Sequence, residues 1–101
     1  MHIAQFIKLE IIILNLLKNQ DLTSEQIYCI LNKHFTIIEG ELLVSLFFLH
    51  ENHLISFQTV DDCFIYHIEE AGLVRYTTLK REYQNIHQAT EELFQNEKTK
   101  I

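Results

Sequence analysis

The chain opens on a segment in which apolar residues recur at helical spacing. Phe6, Ile7, Ile11, Leu14 and Leu17 share one face, and Ile12, Ile13 and Leu16 widen it. This predicts a helix over Ile3–Lys18 that is buried on more than one side and ends at Asn19-Gln20-Asp21. Thr23 followed three residues later by Gln26 is a capping-box pattern. It predicts a second helix over Ser24–Lys33, with Ile27, Ile30 and Leu31 turned to the core. Thr36-Ile37-Ile38-Glu39 repeats the pattern and predicts a third helix reaching Glu51. The short turn between the two is that of a helix-turn-helix unit. Leu54–Thr59 and Cys63–Ile68 are rich in β-branched and aromatic residues and predict a hairpin, joined through Val60, Asp61 and Asp62. Helical spacing returns at Glu70. There Tyr76, Leu79, Tyr83, Ile86, Thr90 and Leu93 step by threes and fours, a heptad seam with one polar position.

A seam on a terminal helix needs a partner, either the first helix or the same helix of a second subunit. Because the first helix is itself over-apolar, a symmetric homodimer satisfies both. Its expected contacts are Ile3, Phe6, Ile7, Tyr76, Leu79, Tyr83, Ile86 and Leu93. The alternative is a single helix packed on its own domain.

Length and composition narrow the class. With 101 residues there is room for one domain, 1–101. It divides into a helix-turn-helix plus wing over 3–68 and a dimerisation helix over 69–97. The fold class is mainly α with a small β-hairpin: a winged helix-turn-helix with a long C-terminal helix. No proline and two glycines favour long helices. Cys29 and Cys63 are too few for a disulfide scaffold or a zinc finger and read as buried free thiols in a reducing compartment. The longest apolar run, Leu42–Leu49 with Ser45 inside it, falls far short of the roughly twenty residues that span a bilayer. The expectation is a soluble cytoplasmic protein without membrane partner or cofactor.

The segment Gly40-Glu41-Leu42-Leu43-Val44-Ser45-Leu46-Phe47-Phe48-Leu49-His50-Glu51-Asn52-His53-Leu54-Ile55 resembles the recognition helix of the PadR family of winged-helix regulators and the step into its wing. Gly40, Leu42, Leu46, Leu49, Leu54 and Ile55 stand at the positions that carry the likeness. Tyr66-His67-Ile68-Glu69-Glu70-Ala71-Gly72 resembles the family's last wing strand and its acidic, glycine-bearing lead-in to the long helix. The resemblance covers roughly residues 10 to 95 and implies a dimeric, DNA-binding transcriptional regulator. The chain departs from that pattern in four places. Leu43 stands where a tyrosine is usual, Phe47-Phe48 where basic or polar residues are usual, His53 where a glycine is usual, and Asp61-Asp62 at the tip of a normally basic wing.

Charge bears directly on the implied role. The formal net charge is -6. No Lys or Arg lies between Lys33 and Arg75, and that window holds Glu39, Glu41, Glu51, Asp61, Asp62, Glu69 and Glu70. It contains the whole presumed recognition helix and wing, the elements that face a duplex. Phosphate contacts come chiefly from Lys and Arg, and base reading favours Arg, Lys, Asn or Gln. The exposed helix face is expected to carry Glu41, Val44, Ser45 and Phe48 instead. With Asp61 and Asp62 these make a candidate protein-interaction surface, suited to an antirepressor, an inhibitor or a regulatory subunit. The competing explanation is that the apolar helix is simply buried more deeply. Two further readings stay open. One is a conventional repressor using Arg75, Lys80 and Arg81, which otherwise read as a solvated helix face. The other is a ligand- or metal-sensing winged helix. His50, His53, His67 and Cys63 have only loose metal-ligand spacing, and Tyr28, Tyr66, Tyr76 and Tyr83 suit packing as well as a pocket. No catalytic motif is present in the sequence, so an enzyme is not expected.

Overall fold

The computed structural model describes the backbone of residues 3–99 and the side chains of residues 9–96. Seven elements follow in order: α1 (Ile3–Asn19), β1 (Leu22–Thr23), α2 (Ser24–Asn32), α3 (Glu39–Glu51), β2 (Ile55–Val60), β3 (Cys63–Ile68) and α4 (Glu70–Thr99). The strands form one antiparallel sheet in the order β1-β3-β2. α1 lies at the centre of the helical layer. Its Leu9, Ile13, Leu14 and Leu17 meet Ile27 and Leu31 of α2, Leu42, Leu46 and Leu49 of α3, and Tyr76 and Leu79 of α4 in one core. Leu22, Ile55 and Ile68 close that core from the sheet.

The capping box at Thr23 forms as expected. Thr23 Oγ1 accepts from the Gln26 amide at 3.1 Å, and Gln26 Oε1 accepts from the Thr23 amide at 2.9 Å. The second box does not form. α3 begins at Glu39 with Ile38 as its uncapped N-terminal residue, and Thr36 makes no cap. Ile37 is drawn into the core at 6% exposure, which holds the turn extended and delays the helix. The cysteines also differ from expectation, for both are exposed. Cys29 lies two residues from inward-facing Ile27, on the outer face of α2. Cys63 pairs with Val60 beside the hairpin turn, beyond the reach of the core.

α3 ends in a Schellman motif. The Leu54 amide donates to Leu49 O and the His53 amide to His50 O, both at 3.0 Å. His53 takes the left-handed conformation at φ 60°, the position usually given to glycine. The hairpin turn is a two-residue connection with Asp61 and Asp62 both at positive φ, 50° and 64°. Asp tolerates this region, and paired positive φ values match the twist of a tight hairpin.

α4 reaches well past the domain. Through Leu79 it packs on α1, where Asn15 Nδ2 donates to the Tyr76 hydroxyl at 2.7 Å and Arg75 Nε to Glu10 Oε1 at 2.9 Å. From Lys80 to Asn96 every residue is exposed. No described helix is long and apolar enough to cross a membrane.

His67 Nδ1 lies 2.7 Å from Asp21 Oδ1, tying β3 to the turn after α1. The hydrogen bond to Asp21 raises the His67 pKa above its ordinary 6.5; slight desolvation opposes the shift, and the Asp21 and Glu69 charges reinforce it. A raised folded pKa means the contact stabilises fully below the unfolded value and fades as pH rises through the folded one. Both side chains are about half exposed, so the contribution is small. Thermal melts at pH 6 and pH 8 should show the wild type losing slightly more stability on the alkaline side than Asp21→Asn. Equal losses would remove the pair as a contributor.

Candidate functional site

α3 is apolar on nearly every side, but the domain covers only one of its faces. Leu42, Ser45, Leu46 and Leu49 are buried. Leu43, Val44, Phe47 and Phe48 are left 47%, 44%, 60% and 48% exposed. Leu43, Phe47 and His50 stand at i, i+4 and i+7, one above another on a single flank. That flank runs toward the hairpin, where the His50 ring lies 4.9 Å from Phe57. Phe57 in turn meets Phe64 edge-on at 5.0 Å and Tyr66 at 5.9 Å.

The hairpin register explains the continuation. Ile55, Phe57 and Thr59 alternate on one face of β2 and pair with Ile68, Tyr66 and Phe64 of β3. Ile55 and Ile68 enter the core; Phe57 and Phe64 carry the same face beyond it, exposed. A largely apolar stripe therefore runs from Leu43 and Phe47 through the His50 ring, whose Nδ1 lies 4.0 Å from Glu51, to Phe57 and Phe64. On the opposite flank of α3, Ser45, Phe48 and Asn52 line a cavity of about 530 Å³ with Glu10 and Arg75. Among the described residues, Ser45 Oγ is the one buried side-chain polar atom without a hydrogen-bond partner.

The expected surface is corrected in part. Ser45 is 2% exposed, buried with Leu42 and Leu49 at the floor of that cavity and not on the outer face of α3. Glu41 is half-buried, while Val44, Phe48, Asp61 and Asp62 are exposed. Leu43, Phe47, His50, Phe57 and Phe64 lie on this surface and are not among the residues expected there. The usable signal was the period-two apolar face of the hairpin, which is longer than the core that has to cover it.

The expected seam on α4 is also divided. Tyr76 and Leu79 are buried against α1 of their own chain, because Tyr76 is held by Asn15 and overlain by Lys18 Nζ at 5.1 Å from its ring. Tyr83, Ile86 and Leu93 are exposed. The side chains of Ile3, Phe6 and Ile7 lie outside the described residues. Of the tyrosines, Tyr76 and Tyr83 line a cleft of about 370 Å³ with Ile11, Ile12, Asn15 and Phe35. Tyr28 and Tyr66 pack beside the core, and burial, followed by the Glu25 charge, pushes the Tyr66 hydroxyl pKa up.

Electrostatically, the α3–hairpin face is acidic. Glu39 and Glu51 at the two ends of α3 and Asp61 and Asp62 at the hairpin tip are exposed, while Glu69 accepts a hydrogen bond from Ser56 Oγ on the face of β2 opposite Phe57. Arg75, the first cation after Lys33, is committed to α1. Its hydrogen bond to Glu10, whose side chain is 14% exposed, raises the guanidinium pKa further above its ordinary value. Lys80 and Arg81 are exposed on α4, away from α3 and the hairpin in the chain. No group of three His, Cys, Asp or Glu side chains among the described residues is placed to hold a metal ion.

Comparison with solved structures identifies the architecture. A PadR family transcription regulator from Clostridium difficile superposes with a TM-score of 0.80 at 16% identity, over 85% of this chain and 97% of that one. A transcriptional regulator from Clostridium thermocellum gives a TM-score of 0.74 at 21% identity, over 83% of this chain and 87% of the other. No family model and no curated protein matches the sequence. The fold is a PadR-like winged helix with a long C-terminal helix.

Proposed function

We propose that this protein is a winged-helix regulator that acts through protein contacts at the α3–hairpin face, with little or no DNA binding, as a homodimer joined through α4. One observation carries the reading. The face that a winged helix presents to a duplex has no Lys or Arg from residue 34 to residue 74 and exposes Leu43, Val44, Phe47 and Phe48. Counterion release needs cations at the phosphates, whereas exposed apolar patches suit a polypeptide partner. An antirepressor, an inhibitor or a regulatory subunit meets this description. For the dimer, exposed Tyr83, Ile86 and Leu93 supply a seam on the half of α4 that its own chain leaves uncovered.

The likeness to transcription regulators favours a second reading, a conventional DNA-binding repressor that uses Arg75, Lys80 and Arg81. A gel shift with the protein's own upstream region at low and high salt, paired with sedimentation, separates the two. The expected result is a dimer that leaves the DNA unshifted. Tight, salt-sensitive retardation would establish the repressor instead.

A further inference from the structure

We infer that the stripe Leu43–Phe47–His50–Phe57–Phe64 seats a basic amphipathic helix of a partner protein, one whose apolar anchors are flanked by Lys and Arg. The inference rests on the protein-contact reading above and adds the chemistry of the partner. Three observations converge on it. First, the stripe is linear: on α3 it follows i, i+4, i+7 spacing, and the His50–Phe57 ring contact at 4.9 Å continues it onto the hairpin. A ridge of this kind accepts the apolar side of another helix. Second, the acids bracket it. Glu39 lies in the first turn of α3, Glu51 follows His50 at its last turn, and Asp61 and Asp62 occupy the hairpin tip beyond Phe64; all four are exposed. Third, no Lys or Arg from residue 34 to residue 74 opposes a cationic partner. The faces of Phe47, Phe57 and Phe64 add cation–π acceptors for its Lys and Arg side chains. Complementary charge of this kind sets orientation and speeds encounter, while the aromatic anchors hold the complex. An acidic or purely apolar segment fits the stripe and fails the rim.

The test titrates the full-length protein against three labelled helical peptides by fluorescence anisotropy. One is an amphipathic Leu/Lys peptide, one a Leu/Glu peptide of the same apolar pattern, and one a Lys/Gln peptide without apolar positions. The Leu/Lys peptide should bind at least about tenfold more tightly than either other, and its affinity should fall with added salt. Phe47→Ser should reduce that affinity about tenfold, whereas Cys29→Ser on the outer face of α2 should leave it unchanged. Because Phe47 is exposed, circular dichroism should show both variants folded. Glu51→Gln combined with Asp61→Asn and Asp62→Asn should weaken binding and flatten the salt dependence. Equal binding of the Leu/Glu peptide, no binding of the Leu/Lys peptide, or indifference to Phe47→Ser would overturn the inference. A labelled DNA duplex provides the separate arm. DNA binding that Phe47→Ser abolishes would defeat the protein-contact reading itself. Preference for the Leu/Glu peptide without DNA binding would defeat only the assignment of a basic partner.

Discussion

Gly72→Ala is expected to destabilise the protein by about 3 kcal/mol. In the first turn of α4, a Cβ at Gly72 would lie 2.8 Å from Ile68 Cγ1, 3.1 Å from the Leu54 carbonyl carbon and far inside contact distance of its oxygen, at 2.2 Å. Ile68 is itself buried in the core, and the Leu54 peptide is fixed by its hydrogen bonds. Its carbonyl accepts from the Glu69 amide at 2.9 Å, and its own amide is spent on Leu49 in the turn that ends α3. A methyl group at residue 72 must therefore push α4 off the junction of α3 and β2, breaking the contact that sets the wing against the helices. Gly40 supplies the control. A Cβ there meets nothing within 4 Å, and Gly40 sits in the first turn of α3. Gly40→Ala should raise stability by up to about 1 kcal/mol through helix propensity. Urea titrations of the two variants should move in opposite directions, and a Gly72→Ala protein as stable as wild type would contradict the close approach.

The parts of this fold that were legible in the sequence are those set by local chemistry. Thr23 and Gln26 cap α2 through two bonds spanning three residues, so their spacing is enough to reveal them. Cys63–Ile68 is a strand for the same reason: its β-branched and aromatic residues and the adjacent Asp-Asp turn are all near neighbours. Elements that depend on distant residues were not legible. β1 is two residues long, has no period of its own, and exists only because Leu22 and Thr23 pair with Tyr66 and Ile65. Thr36 carries the right capping pattern and loses to Ile37, whose burial fixes the turn. The candidate site lies between these cases. The absence of Lys and Arg from the helix and wing could be read directly. Which apolar residues stay outside could not, because a helix apolar on nearly every side has no period to orient it, and its spacing does not tell buried Ser45 from exposed Leu43 and Phe47.

Leu46 and Phe47 turn that ambiguity into a measurement. They are neighbours on one helix, both large and apolar, and sequence periodicity does not separate them. Leu46 is 1% exposed and packs in the core with Leu42 and Leu49; Phe47 is 60% exposed. Leu46→Ala removes buried methyl and methylene groups and leaves a cavity that α1 and α2 cannot close without shifting, so it should cost about 2–5 kcal/mol. In a domain this small, that is a large share of the total stability. Phe47→Ala removes more atoms yet should change stability by about 0.5 kcal/mol or less, because its ring leaves water only in part and meets the exposed ring of Phe48 edge-on. Its effect should appear in binding instead, as loss of affinity for whatever occupies the stripe. Chemical denaturation of both variants, followed by the peptide titration on the folded Phe47→Ala protein, reads the two effects separately. If Phe47→Ala unfolds the domain as readily as Leu46→Ala, Phe47 is a core residue and the stripe ceases to be a docking surface. If it leaves both folding and binding unchanged, the exposed aromatic face has no part in what the protein recognises.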